Sequence, residues 1–138
     1  MRPAIETLRK RFHVLAQKVG APNRLACFHR TPTDSGAAHI EIEGDEYCYV
    51  VTERGTEFER RRTKDPDTLL YWLLRSLTFE MASDYELKHR KRGEDSRRQL
   101  FAKQLELLGR LKEEWRSSLD AELQSVLQNH PYTDEKTG

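Results

Sequence analysis

Few residues in this chain combine types and spacing that do chemistry. His39-x-Glu41 is one such pair. On a strand both side chains project from the same face, as a metal site or an acid–base pair requires. On an alternating strand the ordinary reading is two solvated residues. A zinc deaminase also needs Pro-Cys-x-x-Cys, which is missing. Cys27, His29, His39 and Cys48 supply a Cys2His2 ligand set, but without the close Cys and His pairs of a zinc module. Buried thiols are the ordinary reading. Glu53-Arg54-Gly55 offers a carboxylate at a strand end. No nucleophile or second acid stands at a matching spacing, so ion pairing or partner contact is the stronger reading. There is no Gly-x-Gly-x-x-Gly, Walker loop, Gly-x-Ser-x-Gly or His-Glu-x-x-His. These residues give no catalytic group, no metal ligand and no cofactor.

The basic runs are Arg60-Arg61-Arg62 and Lys88 to Arg92. Each reads first as a solvated face and second as an RNA or phosphate contact. Overall charge speaks against a general nucleic-acid binder: 24 basic against 23 acidic residues leave a net charge of +1. That balance hides segregation. Residues 1–30 carry seven basic and one acidic residue, and residues 31–59 carry one basic and eight acidic.

The elements that position these groups follow from hydrophobic period. Ile5, Leu8, Phe12, Leu15 and Val19 form a helical stripe, predicting a helix over about residues 3–19 that stops at Gly20 and Pro22. The period then becomes two. Leu25 to Arg30, His39 to Glu43, Tyr47 to Thr52 and Thr56 to Arg62 predict three or four antiparallel strands joined by short turns. Ile40 and Ile42 are expected inward and Glu41 and Glu43 outward. Asp65-Pro66-Asp67 is a helix start. Leu70 to Tyr85 and Phe101 to Val126 carry helical stripes, with Gly109 inside the second marking a close helix contact. The expectation is one α+β domain over residues 1–138: an N-terminal helix, a three- to four-stranded antiparallel sheet, and two or three long C-terminal helices packed on one sheet face. Residues 133–138 read as a frayed tail. The chain shows no membrane span and no apolar leader, and it has only two cysteines. The expected compartment is the cytoplasm.

A longer pattern runs through these elements. It begins with His39-Ile40-Glu41, Tyr47-x-Tyr49-Val50-Val51-x-Glu53-Arg54-Gly55 and Thr63-Lys64-Asp65-x-Asp67-x-Leu69-Leu70-Tyr71-Trp72. It continues through Thr78-Phe79-x-Met81-Ala82-x-x-Tyr85-Glu86, Arg90 and Arg97-Arg98-x-x-Phe101-x-Lys103-Gln104-Leu105-Glu106-Leu107-Leu108-Gly109. It ends with Trp115 and His130-Pro131-Tyr132. Over about residues 38–132 the chain resembles the immunity protein sixty-three family of bacterial polymorphic toxin systems. The resemblance implies a small cytoplasmic protein, not an enzyme. Its partner would be a cognate toxin domain, the C-terminal part of a large secreted effector, blocked by occlusion.

On that reading the contact falls on the wet acids Glu41, Glu43, Asp45, Glu46 and Glu53, with Tyr47, Tyr49 and Arg54 beside them. An acidic patch with tyrosines suits a basic cleft. Secondary candidates are Arg60, Arg61, Arg62, Arg90 and Arg97. An RNA- or phosphate-binding module is the alternative, and a hydrolase using Glu53 or His39 comes third.

Overall fold

The computed structural model describes residues 4–135. Its elements are α1 (Ile5–Lys18), β1 (Ser35–Glu43), β2 (Glu46–Glu53), β3 (Thr56–Thr63), α2 (Pro66–Lys88), α3 (Ser96–Gly109) and α4 (Glu113–Asn129). The class is α+β, with three strands in the order β1-β2-β3 and three C-terminal helices. The chain forms two compact units, one up to Leu74 and one from Arg75 onward, with the boundary inside α2.

In the first unit, α1 buries Leu8 and Phe12 of the expected stripe, and Ala16 is buried in place of the expected Leu15, which is half-buried. Its expected start at Pro3 lies outside the described residues. Gly20, at φ 72°, closes the helix, with Gly20 N donating to Gln17 O and Ala21 N to Ala16 O. That double bond is a Schellman cap, which needs a left-handed residue where glycine stands.

Leu25 to Arg30 does not form the expected strand. Local turns take up its backbone groups: Leu25 N and Ala26 N both donate to Pro22 O. Only His29 joins the sheet, through a parallel bridge to His39 and a 2.8 Å bond from Ile40 N. This single bridge, with Arg30 Nε on Ile40 O at 3.0 Å, covers part of the outer edge of β1.

The strands are joined by two-residue turns. Gly44 takes positive φ in the β1–β2 turn, and both Arg54 and Gly55 do so in the β2–β3 turn. The latter is the type I′ signature, whose twist matches that of the strands. Register places Ile40 opposite Tyr49 and Ile42 opposite Tyr47, so all four share a face. The first turns of α2 meet this face, where Trp72 stands edge-on to Tyr49 at 6.1 Å between ring centroids. Ile40 is buried, but Ile42, beside the turn, is exposed. Asp65 starts α2 as the sequence predicts, accepting from Asp67 N at 3.2 Å and Thr68 Oγ1 at 2.7 Å.

The second unit is helical. Gln104 Nε2 on α3 donates to Arg75 O of α2 at 3.0 Å, and Gln99 Nε2 to His89 O at 2.8 Å, so these two helices run antiparallel. Asp95 caps α3 by accepting from Arg97 N at 3.0 Å. The stripe from Phe101 to Val126 is not one helix. It breaks at Arg110–Lys112, where Lys112 turns extended and Glu113-Glu114 begin a new first turn. Gly109 does mark a close approach: a Cβ there would lie 2.8 Å from Arg116 Cδ. Residues 133–135 are not frayed. Thr133 N donates to Asp95 Oδ2 at 2.9 Å and Glu135 N to Gly93 O at 2.8 Å. The rest of that expected tail lies outside the described residues.

Candidate functional site

The outward face of the sheet carries the charges, and its geometry follows from register. His39, Val50 and Arg60 lie in one row across the three strands, and Glu41, Cys48 and Arg62 in the next. Arg60 reaches from β3 over β2 to β1. Its Nη1 and Nη2 both lie 3.3 Å from Glu41 Oε1, and Nη1 lies 2.7 Å from Glu43 Oε1. Its Nε and Nη2 also hold Glu57 Oε1, at 3.1 and 2.8 Å. Arg62 Nε takes the second oxygen of Glu43 at 3.0 Å. Two guanidinium groups thus bridge three carboxylates. Hydrogen bonding to Glu57, then the charge of Glu41, stabilises the Arg60 cation. The aliphatic stem of Arg60 lies in register beside Val50, which is buried.

The second oxygen of Glu41 meets His39 Nε2 at 2.6 Å. An ionised carboxylate only accepts, so Nε2 carries the proton. This bond, followed by the influence of Arg60, holds the Glu41 carboxyl below its ordinary range. The two do not stand as the two solvated residues expected from the sequence: they pair, and His39 is 1% exposed. Among the described residues its Nδ1 has no hydrogen-bond partner, and neither has the buried Thr52 Oγ1 on the same face. Buried on one side and clamped by Glu41 on the other, the imidazole braces the sheet.

Tyr47 and Tyr49 do not join the acids. They occupy the opposite face, are 0% and 7% exposed, and are removed from any partner surface. Cys27 is exposed and Cys48 buried. Among the described residues no three His, Cys, Asp or Glu side chains gather closely enough to hold a metal ion.

The arginine candidates are held by acids. Arg61 pairs with Glu59 and lies over Trp72 at 5.7 Å. Arg90 forms a two-pronged pair with the buried Glu86, both contacts at 2.9 Å. Arg97 grips Asp95 and donates to His130 O and Pro131 O, both at 2.9 Å. Arg98 lies 4.2 Å over the Tyr132 ring and pairs with Asp134. Asp95 therefore accepts from Arg97 and Thr133 together, and its carboxyl falls well below the usual range. Sequence reading missed the clasp of Asp95, Tyr132 and Asp134 on the two arginines. Its only trace was the co-occurrence of Arg97-Arg98 and His130-Pro131-Tyr132.

Open charge lies elsewhere. Asp45 is taken by Lys64 at 3.1 Å. The side chains of Glu46, Glu53 and Arg54 make no ion pair among the described residues. The same holds for Lys10, Arg11 and Lys18 of α1 and for Lys88, Lys91 and Arg92. At the β2–β3 tip, residues 53–58 are exposed without interruption. Phe58 is 66% exposed. The register skips it, with Val51 opposite Glu59 and Thr52 opposite Glu57, so a bulge turns it outward. Glu57 and Phe58 are parts of this surface that the period-two reading did not single out, because a bulge leaves no mark in the alternation.

No helix of the described residues is long and apolar enough to cross a membrane. The model of the family described as Immunity protein 63 matches residues 43–125, which hold β2, β3, α2, α3 and most of α4. No curated protein and no solved structure matches the chain.

Proposed function

This chain belongs to the Immunity protein 63 family, and from that premise we propose that it neutralises a cognate bacterial toxin domain by stoichiometric occlusion. It sits on the toxin's active or substrate-binding site in the cytoplasm. The toxin is the C-terminal domain of a large secreted effector. The observation that carries this reading is the family match, which spans both compact units.

The site geometry supports binding over turnover. His39 and Glu41, the best-spaced acid–base pair in the sequence, hold each other, and Glu41 also accepts from Arg60. Glu53 is exposed at the end of β2, opposite Ser35 in the register. The contact draws on the open charges Glu53 and Arg54 at one end of β2 and Glu46 at the other, with Glu41, Glu43 and Asp45 toward the Glu46 end in their ion-paired form. An RNA- or phosphate-binding role is less well supported, since Arg60, Arg61 and Arg62 are all engaged by glutamates.

Calorimetric titration of the full chain into the toxin domain encoded beside its gene tests the reading. One-to-one binding is expected. Absence of binding, or binding to single-stranded RNA that collapses with salt, overturns it.

A further inference from the structure

The β2–β3 turn is built with a residue that its backbone does not favour. Arg54 sits at φ 51° and Gly55 at φ 80°. A type I′ turn demands positive φ at both central positions, and Asn-Gly or Gly-Gly meet that demand at least cost. Arginine does not, because its Cβ crowds the carbonyl in the left-handed region. The turn is nevertheless pinned. Arg54 N donates to Asp34 O at 3.3 Å and Gly55 N to Asp34 Oδ1 at 3.1 Å. Asp34 is itself left-handed, at φ 54°. Two strained residues thus hold each other, and the tip is fixed before any partner arrives. No side-chain contact within the described residues repays the strain at Arg54, whose guanidinium is exposed and unpaired. Strain kept at such a position points to a use outside the chain.

Phe58 gives a second, independent observation. A bulge rotates this phenylalanine out of the ladder, leaving it 66% exposed four residues from Arg54. Exposed aromatic and arginine side chains on a rigid element are the usual carriers of interface energy. We propose that the β2–β3 tip is the element that enters the toxin's cleft, with Arg54 binding a toxin carboxylate and Phe58 packing on an apolar wall beside it. A guanidinium fork matches a carboxylate with two parallel hydrogen bonds, which a lysine cannot reproduce. A preorganised tip also loses little conformational freedom on binding.

This inference rests on the toxin-binding reading above, and the test separates the two. The full-length protein and its Arg54→Asn, Arg54→Lys and Phe58→Ser variants are titrated into the neighbouring toxin domain and melted in its absence. Arg54→Asn relieves the left-handed strain, so it melts about 1–4 °C higher yet binds about 30-fold more weakly. Arg54→Lys keeps the charge but not the fork, and also binds more weakly. Phe58→Ser melts as the wild type does and loses affinity. If wild type binds and the Arg54→Asn and Phe58→Ser variants bind equally well, the tip is not the contact and the proposal falls alone. Full affinity in Arg54→Lys overturns the carboxylate fork. If wild type does not bind the toxin, the underlying function falls first and the tip with it.

Discussion

Arg60 on β3 pairs with Glu41 on β1 across the full width of β2, with both terminal nitrogens 3.3 Å from one carboxylate oxygen. A strand pair normally interacts with its direct neighbour. Here one side chain ties the two edge strands together and lies over the middle strand. Arg60→Ala removes the bridge, leaves Glu41, Glu43 and Glu57 without their shared cation and uncovers Val50. The expected result is a melting temperature lowered by about 2–5 °C. Arg60→Lys recovers only part of the loss, since an ammonium cannot address three carboxylates with a planar fork. Thermal melts of the three proteins check this.

The same bridge separates two classes of acid on the sheet. Lysine at Glu41 or Glu43 faces Arg60 and Arg62 with like charge, so Glu41→Lys and Glu43→Lys weaken the fold itself. Glu46→Lys and Glu53→Lys break no described ion pair and should leave the melting temperature within about 2 °C of wild type. Any loss of toxin affinity in those two variants then reports contact rather than folding.

Acid should loosen the helical unit through Asp95. Its carboxyl is depressed below 3.8, first by the Arg97 side chain and then by the Thr133 and Arg97 amides. A depressed folded-state value means that the ionised form stabilises the fold above the unfolded value. That stabilisation is lost as pH falls through the folded value. Glu41, depressed from 4.5, adds to the same trend in the sheet, as do Glu57 and Glu86. Melting temperature should therefore hold from neutrality to about pH 4.5 and decline below it. Asp95→Asn lowers stability at neutral pH and flattens the acid limb. A wild-type-like acid limb in that variant would contradict the role given to Asp95.

Two core substitutions test the units one at a time. Leu73 and Leu108 are buried, the first in the unit that holds the sheet and the second in the helical unit. An unpaired carboxylate at either place costs about 3–5 kcal/mol. Leu73→Asp and Leu108→Asp should each give insoluble or unfolded protein, read by circular dichroism and size-exclusion chromatography.

Helix stripes and turn chemistry made most of the fold legible. Leu8, Phe12 and Val19 of the first stripe, Asp65-Pro66-Asp67, and alternation from His39 to Glu43 each state a local preference that the fold obeys. Leu25 to Arg30 misled because strand propensity says nothing about whether a partner edge is free, and the turns after Pro22 had first claim on its backbone. The break at Arg110–Lys112 was hidden because both helices keep the same apolar period across it. At the sheet, alternation put Glu41 and Glu43 on one face but could not show that Arg60 and Arg62 stand over the same face, since that depends on register between strands. The tyrosines were separated from the acids by the same register. His39 looked solvated because its burial is a tertiary fact that alternation along one strand does not carry.

Toxin activity measured against increasing amounts of this protein tests the central claim most directly. The toxin domain is held at a concentration well above the dissociation constant. Stoichiometric occlusion predicts that activity falls linearly and reaches zero near one equivalent, with no dependence on preincubation time once binding is complete. Progressive loss of activity with time at a small fraction of an equivalent would mean turnover, and would contradict a protein that works by occupying its partner.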